Sequence, residues 1–498
     1  MNARAIEVVD SLSLLALKVA SNVFDLSSRM HHVSIRDQLV RGQMAVRDLK
    51  RGDDQLESLL IVGAGIAGMS AALTAAELGV KNVVVVEVAD QPFALLRGVV
   101  ARHVGPFMYE WPSPFYDDQS YPDHRRTVWN GRTISPLSWK SKRPCCAAHL
   151  ATLLTDEVKS RLASLSARGL PSPTICVGES AHRITSFVGS FARSEAGRAM
   201  SRLQNRTPSP TPVFGYYNSI QWPDGKPAAA TITPQYVFLA AGMGLEDRLL
   251  SKTGAPFVGK KFWENDDLLD PGTANRRISV FGGGDGALQD VLRGLTGYEH
   301  PLQLLEFLEA WAPVKNALRR ATPDLLSADR QGRQFATWTQ ARAEYATVDA
   351  CCQRLAGHLA RNARVVRRVG QALRFGRGEV TLFVRGGHFD KAYLLNRFVV
   401  HLIEACSSTR SSSWSGRMRL NVLRRHQAVG YRASARGHFV EIERLVDKHK
   451  FDHEADRIVV RYGIEKGSIP GAQMIQVSPK ASRQRTTLAR VELPFVTE

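Results

Sequence analysis

Two short apolar runs in this chain each lead into a glycine-rich turn and then into a helical repeat. In the first, Ser58–Val62 enters a turn that holds three glycines between positions 63 and 68. A second apolar run, Asn82–Val86, ends in Glu87, which lies 24 residues after Gly63. Apolar runs of this length between turn residues are typical of buried strands. The pattern therefore predicts a strand–helix–strand unit.

The first turn has the spacing of a site for the ADP half of a dinucleotide. Gly63 permits the tight turn, Gly65 lets the backbone approach a diphosphate, and Gly68 lets the helix pack closely on the strand. The helix N-terminus attracts negative charge, and Glu87 can accept hydrogen bonds from ribose hydroxyls. The residues predicted to contact the cofactor are Gly63, Gly65, Ile66, Ala67, Gly68 and Glu87.

The same arrangement recurs in the second half of the chain. Arg277–Phe281 is a strand-like run that enters a Gly-x-Gly-x-x-Ala turn. Apolar residues follow at helical spacing, and Gly297 is a candidate C-terminal cap. The sequence therefore predicts a second nucleotide-binding unit, and the residues assigned to its turn are Gly282, Gly284, Asp285 and Ala287.

Glu306 is the candidate ribose-binding acid of the second unit. It lies 24 residues after Gly282, the same offset that separates Gly63 from Glu87. The apolar run 302–305 would then be the strand that carries it. Equally, 301–311 fits a helix that begins at Pro301, because periodicity does not distinguish strand from helix in so short a run. Both interpretations stay open at this point.

An aromatic loop interrupted by prolines follows the first unit. Residues 108–122 contain five aromatic side chains among prolines and acids, and the prolines exclude a continuous helix or a central strand. The loop fits the lining of a pocket over the cofactor, and it fits an ordinary packed surface loop equally well. In the first case His103 and Glu110 are the acid–base candidates, because partly buried groups of these types titrate near neutral pH.

The overall composition favours anionic ligands without defining one. The 498 residues include 66 Lys and Arg and 47 Asp and Glu, a formal charge of +19, but no nucleic-acid-reading motif accompanies this excess. Most of this charge is expected on the solvated surface. No secretory signal and no run of 18 uninterrupted apolar residues occur, so a membrane span is not expected. Six cysteines without metal-ligand spacing suit a reducing cytoplasm.

The motifs resemble those of the two-dinucleotide-binding flavoproteins, the glutathione-reductase-like group that includes thioredoxin reductases and flavin-containing monooxygenases. Residues 62–68 with Glu87 are similar to the FAD motif of that group. Residues 237–242 are similar to the small-residue strand that returns to the FAD domain. Residues 280–287 are similar to the NAD(P)H motif of thioredoxin reductases.

The resemblance implies a division of labour between the two units. FAD would lie along the first unit, with Gly242 near the returning strand. NADH or NADPH would dock on the second turn, and Glu306 would favour NADH because a carboxylate repels a 2′-phosphate. The chain departs from the group in lacking a Cys-x-x-Cys motif, so thiol–disulfide reduction is not expected. Ala241 replaces the usual threonine, and the second unit is a candidate for having lost its nucleotide.

The predicted fold is α/β, with a Rossmann-like FAD-binding domain, a second, partly degenerate Rossmann-like domain and helical additions. Amphipathic spacing predicts one or two N-terminal helices. Helices are also predicted over 147–165, 338–360 and 393–406, and strands over 236–239, 365–366, 380–384 and 457–463. The predicted segments are 1–56 (N-terminal helices), 57–150 (FAD-binding domain, first part), 151–235 (inserted substrate or cap region), 236–276 (return to the FAD domain), 277–370 (second dinucleotide domain with a helical insertion) and 371–498 (C-terminal region).

Three functions are compatible with these features. The leading one is a cytoplasmic FAD-dependent oxidoreductase that is reduced by NAD(P)H and acts on a small organic substrate, for example as a monooxygenase. The second is an oxidase of the amine- or amino-acid-oxidase type with a single FAD, since residues 86–92 are similar to the strand end and turn of that family. The third is a nucleotide-bound sensor or interaction protein that recruits an acidic partner.

Overall fold

The computed structural model describes residues 14, 17–26, 34–113, 137, 139, 143–204, 210–251, 256–335, 342–409, 414–434, 437–465 and 468. The helices there are α1 (Ile35–Gly52), α2 (Ile66–Glu77), α3 (Ala147–Ala167), α4 (Ala181–Leu203), α5 (Asp285–Thr296), α6 (Pro301–Glu309), α7 (Ala312–Phe335), α8 (Arg342–Leu359), α9 (Ala363–Ala372) and α10 (Leu394–Ser407). The strands are β1 (Lys18–Ala20), β2 (Val23–Asp25), β3 (Ser58–Val62), β4 (Asn82–Val86), β5 (His103–Val104), β6 (Cys145–Cys146), β7 (Thr174–Val177), β8 (Phe214–Trp222), β9 (Lys226–Ile232), β10 (Tyr236–Leu239), β11 (Arg277–Phe281), β12 (Glu379–Val384), β13 (Arg419–Arg424), β14 (His426–Ser434), β15 (Gly437–Arg444), β16 (Lys450–Ala455) and β17 (Arg457–Val460).

The first sheet is a parallel core with antiparallel edges. Its strand order is β1-β2-β10-β3-β4-β7-β8-β9, and the five strands from β2 to β7 in this order are parallel. Side chains alternate across it, as the period of two in a strand requires. Leu59 and Ile61 pack with α1, α2 and α3, whereas Leu60 and Val62 pack with α4 on the other face. Helices therefore cover both faces, and the predicted α/β class is confirmed.

The second sheet has four parallel strands in the order β13-β12-β11-β17. Ile278 and Val280 face a core built with α5 and α10. On the opposite face Phe281 stacks on Phe383, with ring centroids 4.6 Å apart, and the antiparallel sheet β14-β15-β16 covers them through residues such as Val440. The C-terminal strands thus close one side of the second unit.

The two units repeat one topology. Around the glycine turns the strand orders are β7-β4-β3-β10 and β13-β12-β11-β17, that is, third, second, first and fourth in chain order. The insertions differ. Residues 87–146 separate β4 from α3 in the first unit, whereas α6 to α9 separate α5 from β12 in the second. The sequence shows only the two glycine motifs of this repeat, because the insertions hide the rest.

Several predicted segments need correction. Residues 18–25 form the strands β1 and β2, not an amphipathic helix, because β10 offers an edge whose backbone groups β2 satisfies. Leu14 and Leu17 are helical, and α1 also fits the prediction of N-terminal helices; the other residues before Lys18 lie outside the described part of the chain.

The segment 151–235 is not a separate cap, because β7, β8 and β9 extend the first sheet. The second unit does not end at 370, because β12, β13 and β17 belong to its sheet. Residues 365–366 lie in α9 and not in a strand.

A buried cluster of charges joins the two units. Asp290 of α5 has no exposed surface, and Arg293 and Arg461 donate to its two oxygens over 2.9 Å each. Arg102, from the loop after β4, contacts both oxygens as well. Burial alone would raise the pKa of Asp290, but the three guanidinium groups hold it well below its usual value.

Asp266 completes the cluster from the segment between the units. It accepts from Arg102 at 2.9 Å and from Arg293 at 2.8 Å, and the remaining Arg102 and Arg461 donors reach the carbonyls of Phe262 and Lys260. Because the first unit supplies Arg102 and the second supplies Asp290, this network fixes how the units meet.

Replacing Asp290 by asparagine should destabilise the protein by about 3–5 kcal/mol, since it leaves buried arginines without their counter-ion. The measurement is urea unfolding followed by circular dichroism. Asp267→Asn is the matched control, because Asp267 pairs with Arg457 at the surface and such pairs contribute about 1 kcal/mol or less. Equal losses in both variants would contradict the role of the cluster.

Candidate cofactor site

The turn after β3 can be made only with glycine at two positions. Gly63 has φ +103° and its amide donates to the Val86 carbonyl over 2.7 Å. A Cβ on Gly63 would lie 2.5 Å from the Ala240 carbonyl oxygen, and one on Gly68 would lie 1.9 Å from the Gly63 carbonyl oxygen. The two glycines therefore let β3, α2 and the end of β10 converge.

Gly65 is required by neither backbone strain nor packing. Its φ is −77°, which any residue adopts, and apart from its chain neighbours no atom of the described residues would lie within 4 Å of a Cβ there. Gly65 is also the N-cap of α2, and no side chain caps that helix. The start of α2 is thus an open concavity lined by backbone N–H groups, with the positive end of the helix dipole behind it.

Glu87 is anchored beside this concavity. One carboxylate oxygen accepts from the Ala64 amide at 2.7 Å, and the other accepts from the Ala89 amide at 2.9 Å. These bonds fix the carboxylate at the end of β4, and each oxygen keeps a lone pair for a ribose hydroxyl. The arrangement fits the adenosine diphosphate part of FAD, with an open cradle for the diphosphate and a fixed acid for the ribose.

The remaining residues assigned to the first site lie at the same edge of the sheet. Ile66 and Ala67 begin α2, and Gly242, with φ +87°, follows β10 with no atom within 4 Å of a built Cβ. Gly42 of α1, which no sequence motif indicates, also lies here, and a Cβ on it would lie 2.4 Å from the Ala67 carbonyl oxygen. The N-terminal helix therefore packs directly on the first turn of the cofactor helix.

The two acid–base candidates have different surroundings. His103 lies in β5, with Nε2 3.4 Å from a carboxylate oxygen of Glu299, and burial lowers its pKa. Its Nδ1 is buried without a partner among the described residues. Glu110 forms an ion pair with Arg36 of α1, and both side chains are almost fully buried. Glu110 thus ties the aromatic loop to α1; a catalytic role for either residue stays a prediction.

His300 is a neighbour of His103 that sequence reasoning missed. The two ring centroids are 6.1 Å apart, and burial, together with His103, lowers the pKa of His300 to about 4. Since burial also lowers the pKa of His103, the two imidazoles are neutral together at pH 7. The only sequence signal is the position of His300 immediately before Pro301, where a helix begins.

The second turn has the predicted strand and helix but not the predicted acid. Gly282 has φ +141°, Gly284 is the N-cap of α5, Asp285 begins that helix and Ala287 is buried within it. Gly297 ends α5 in the left-handed conformation, as predicted. Glu306 lies exposed in α6, so the strand interpretation of 302–305 is wrong and the helix interpretation is right.

The offset does not find the acid position because the strand equivalent to β4 is β12, which five described helices, α5 to α9, separate from β11. A fixed offset of 24 residues holds only where one helix separates the two strands. In the second unit α6 to α9 intervene, so the offset ends on the surface of α6.

The six cysteines are free thiols. Burial raises the pKa of Cys145 to about 11 and those of Cys176 and Cys406 to about 12. The thiolate, which is the reactive form, is therefore scarce at neutral pH.

Replacing Gly65 by alanine should leave the fold intact and lower the affinity for FAD by roughly tenfold or more, because the methyl group fills the space needed by the diphosphate. Bound flavin per chain and the thermal unfolding midpoint are measured together. Gly68→Ala is the contrasting variant and should lose the fold itself, because its methyl group meets the Gly63 carbonyl. A stable Gly65→Ala protein with undiminished FAD affinity would refute this position for the diphosphate.

The free energy of unfolding should decrease as the pH falls from about 6.5 to about 4, because the unfolded state binds a proton at His300 that the folded state does not. His300→Gln should flatten this slope by about 1 kcal/mol or more over the interval. The exposed His149 of α3 provides the control, since His149→Gln should keep the slope. An unchanged slope in His300→Gln would contradict the assignment.

A family model described as FAD binding domain matches residues 58–94. No curated protein matches the chain in sequence. Among solved structures the chain is similar to thioredoxin reductase from Lactococcus lactis, with 10% identity, 82% of this chain and 77% of that chain covered and a TM-score of 0.33. It is also similar to T. acidophilum thioredoxin reductase, with 11% identity, 84% and 80% covered and a TM-score of 0.34. A third is ornithine N-hydroxylase from Kutzneria sp. 744, with 11% identity, 83% of each chain covered and a TM-score of 0.31.

The family match covers the strand β3, the glycine turn, α2, β4 and Glu87, which are the elements whose geometry forms the open cradle. The strand order of the first sheet is that of a Rossmann-like unit. Residues 58–94 are therefore similar to the nucleotide-binding start of an FAD binding domain, and the predicted resemblance to the FAD motif is confirmed for this segment.

Proposed function

We propose that this protein is an FAD-dependent oxidoreductase that acts on a small organic substrate. FAD lies along the first unit, with its diphosphate at the start of α2 and its adenosine ribose at Glu87. The observation that carries the proposal is the open cradle at Gly65 beside a fixed carboxylate, within the segment that matches an FAD binding domain. Bound FAD supplies the chemistry of hydride transfer.

The chain's own residues have three tasks in this proposal. The amides at the start of α2 bind the diphosphate, and Glu87 orients the ribose. The charge cluster around Asp290 holds the second unit in a fixed position against the first. His103 is the candidate base, because its imidazole is neutral at pH 7 and one ring nitrogen has no partner among the described residues. Glu110 suits this role less, because its carboxylate is paired with Arg36.

Two classes of electron donor for the flavin are considered. The sequence motif at the second turn favours NADH or NADPH, as in a nicotinamide-dependent monooxygenase. The geometry of that turn favours the second candidate, an oxidase of the amine- or amino-acid-oxidase type with a single FAD, whose substrate itself donates hydride. The specific observation is that the chain's own backbone covers the start of α5, where the Lys391 carbonyl accepts a hydrogen bond from the Asp285 amide.

The purified protein should be yellow, with one FAD per chain and a flavin absorption spectrum. Under anaerobic conditions NADH, NADPH and a panel of primary amines and amino acids are added separately, and bleaching of the flavin bands identifies the donor. We expect bleaching by an amine or amino acid and peroxide formation when oxygen is readmitted. Bleaching by a nicotinamide alone would favour the monooxygenase class instead.

Glu87→Gln should lower the affinity for FAD by about tenfold, since the ribose loses a charged hydrogen-bond acceptor. Asp90→Asn, an exposed acid three residues later, is its matched control and should bind FAD as before. Folded wild-type protein that stays colourless after incubation with FAD would sink the proposed function.

A further inference from the structure

The two glycine turns share a backbone junction that makes them directly comparable. In the first, the Gly63 amide donates to Val86 and the Phe93 amide donates to the Ala64 carbonyl. In the second, the Gly282 amide donates to Phe383 and the Asp390 amide donates to the Gly283 carbonyl. Phe93 and Asp390 are therefore equivalent positions, and the first unit is an internal reference for the second.

The backbone paths of the two units diverge immediately after this junction. Phe93 takes the left-handed conformation, with φ +58°, and the chain turns into the short 3₁₀ helix Ala94–Leu96. In the second unit the chain continues across the start of α5. The Lys391 carbonyl accepts from the Asp285 amide at 3.0 Å, and a Cβ on Gly284 would lie 3.3 Å from that carbonyl oxygen. The diphosphate position that is open at Gly65 is thus occupied at Gly284.

A carboxylate of the chain itself also lies at the start of α5. One oxygen of Asp285 accepts from the Tyr393 amide at 3.0 Å and from the Asn396 amide group at 2.8 Å. The other accepts from Gln289 at 2.9 Å. Burial raises the pKa of Asp285, and these hydrogen bonds oppose that effect. The carboxyl group of Asp285 thus lies at the start of α5 and is held by donors of the same chain.

The covering segment is held by buried side chains. Arg397 of α10 has no exposed surface, donates to the Phe389 carbonyl at 3.0 Å and contacts the Asp390 carbonyl as well. Its charge is balanced by Asp349 at 2.6 Å. The Tyr393 ring stacks on Tyr109, with centroids 3.9 Å apart. Removing the segment from the site would break several buried interactions at once.

At the position equivalent to Glu87 the second unit has no acid. Because Gly282 bonds to Phe383 as Gly63 bonds to Val86, the position of Glu87 is taken by Val384. Val384 is buried, and the next residue, Arg385, is exposed. A valine offers the ribose hydroxyls no hydrogen bond, so both contacts that define the first site are missing from the second.

We propose that the second glycine turn is a closed site, whose diphosphate position is filled by the Lys391 carbonyl, so that this unit binds no nicotinamide dinucleotide. Its glycines serve the fold, and its role is to support the first unit. Reduction of the flavin by NAD(P)H docked on this turn is therefore excluded. The inference concerns the second unit alone and stands apart from the chemistry proposed for the first.

Titration calorimetry of the FAD-loaded protein with NADH and with NADPH tests the closed site. We expect no saturable binding up to about 1 mM dinucleotide. Gly284→Ala is the diagnostic variant, because a methyl group there blocks a diphosphate but touches only Lys391 in a closed site. Saturable binding by the wild type that Gly284→Ala weakens by about tenfold or more would overturn the proposal. If the wild type binds a dinucleotide and Gly284→Ala changes that affinity by less than about twofold, the nicotinamide binds elsewhere and the closed site is upheld.

Hydrogen exchange supplies a second readout that needs no flavin. The Asp285 amide should exchange slowly, and NADPH should not change its rate, because Lys391 already protects it. Fast exchange that NADPH slows would overturn the closed site. If the protein purifies without FAD, the Gly65→Ala variant is used to remove dinucleotide binding at the first turn. Dinucleotide binding that persists in Gly65→Ala but is lost in Gly284→Ala would count against the closed site. A colourless protein therefore refutes the proposed function without deciding this test.

Discussion

The structure depends on one close approach, the contact of α2 with the turn that precedes it. Gly63 and Gly68 let the helix start within van der Waals contact of the strand end and of Ala240, where any side chain would collide with backbone. This contact joins β3, α2 and β10 and directs the first-turn amides of α2 to the carboxyl edge of the sheet. The constraint that makes the fold possible therefore also creates the anion-binding cradle.

The second unit shows that the same constraint persists when the cradle is covered. A Cβ on Gly282 would lie 2.1 Å from the Arg461 carbonyl oxygen and its φ is +141°, so packing and backbone conformation require this glycine without any ligand. The glycine motif therefore indicates how a strand passes into a helix. Whether a ligand can bind depends on the space at Gly65 and at its equivalent, Gly284. In the first turn that position faces open space, and in the second it faces Lys391. The two turns differ in the path of the chain after the shared junction. At Phe93 the chain turns away from the start of the helix, whereas after Asp390 it continues across it.

The basic composition also has a structural part that composition cannot show. Many arginines belong to the solvated surface, as expected, but several are almost fully buried and balanced by acids or carbonyls. Those below 10% exposure among the described residues are Arg36, Arg41, Arg102, Arg198, Arg293, Arg397 and Arg461. Arg102 and Arg461 hold the units together, and Arg397 holds the segment that covers the second turn. Part of the positive excess is thus used for internal positioning, because a planar guanidinium satisfies several acceptors at once.

Local patterns predicted the elements, and long-range pairing decided what they do. The strands β3, β4 and β11 and the helices α2 and α5 follow from runs of adjacent residues, so the sequence was sufficient for them. Glu87 was found because one helix separates its strand from the turn, whereas the strand equivalent to β4 in the second unit begins only at Glu379. Likewise, nothing near Asp285 in the sequence indicates that Lys391 will accept from its amide. A glycine motif therefore predicts a turn from local residues, but whether the turn is empty depends on a segment about 100 residues away.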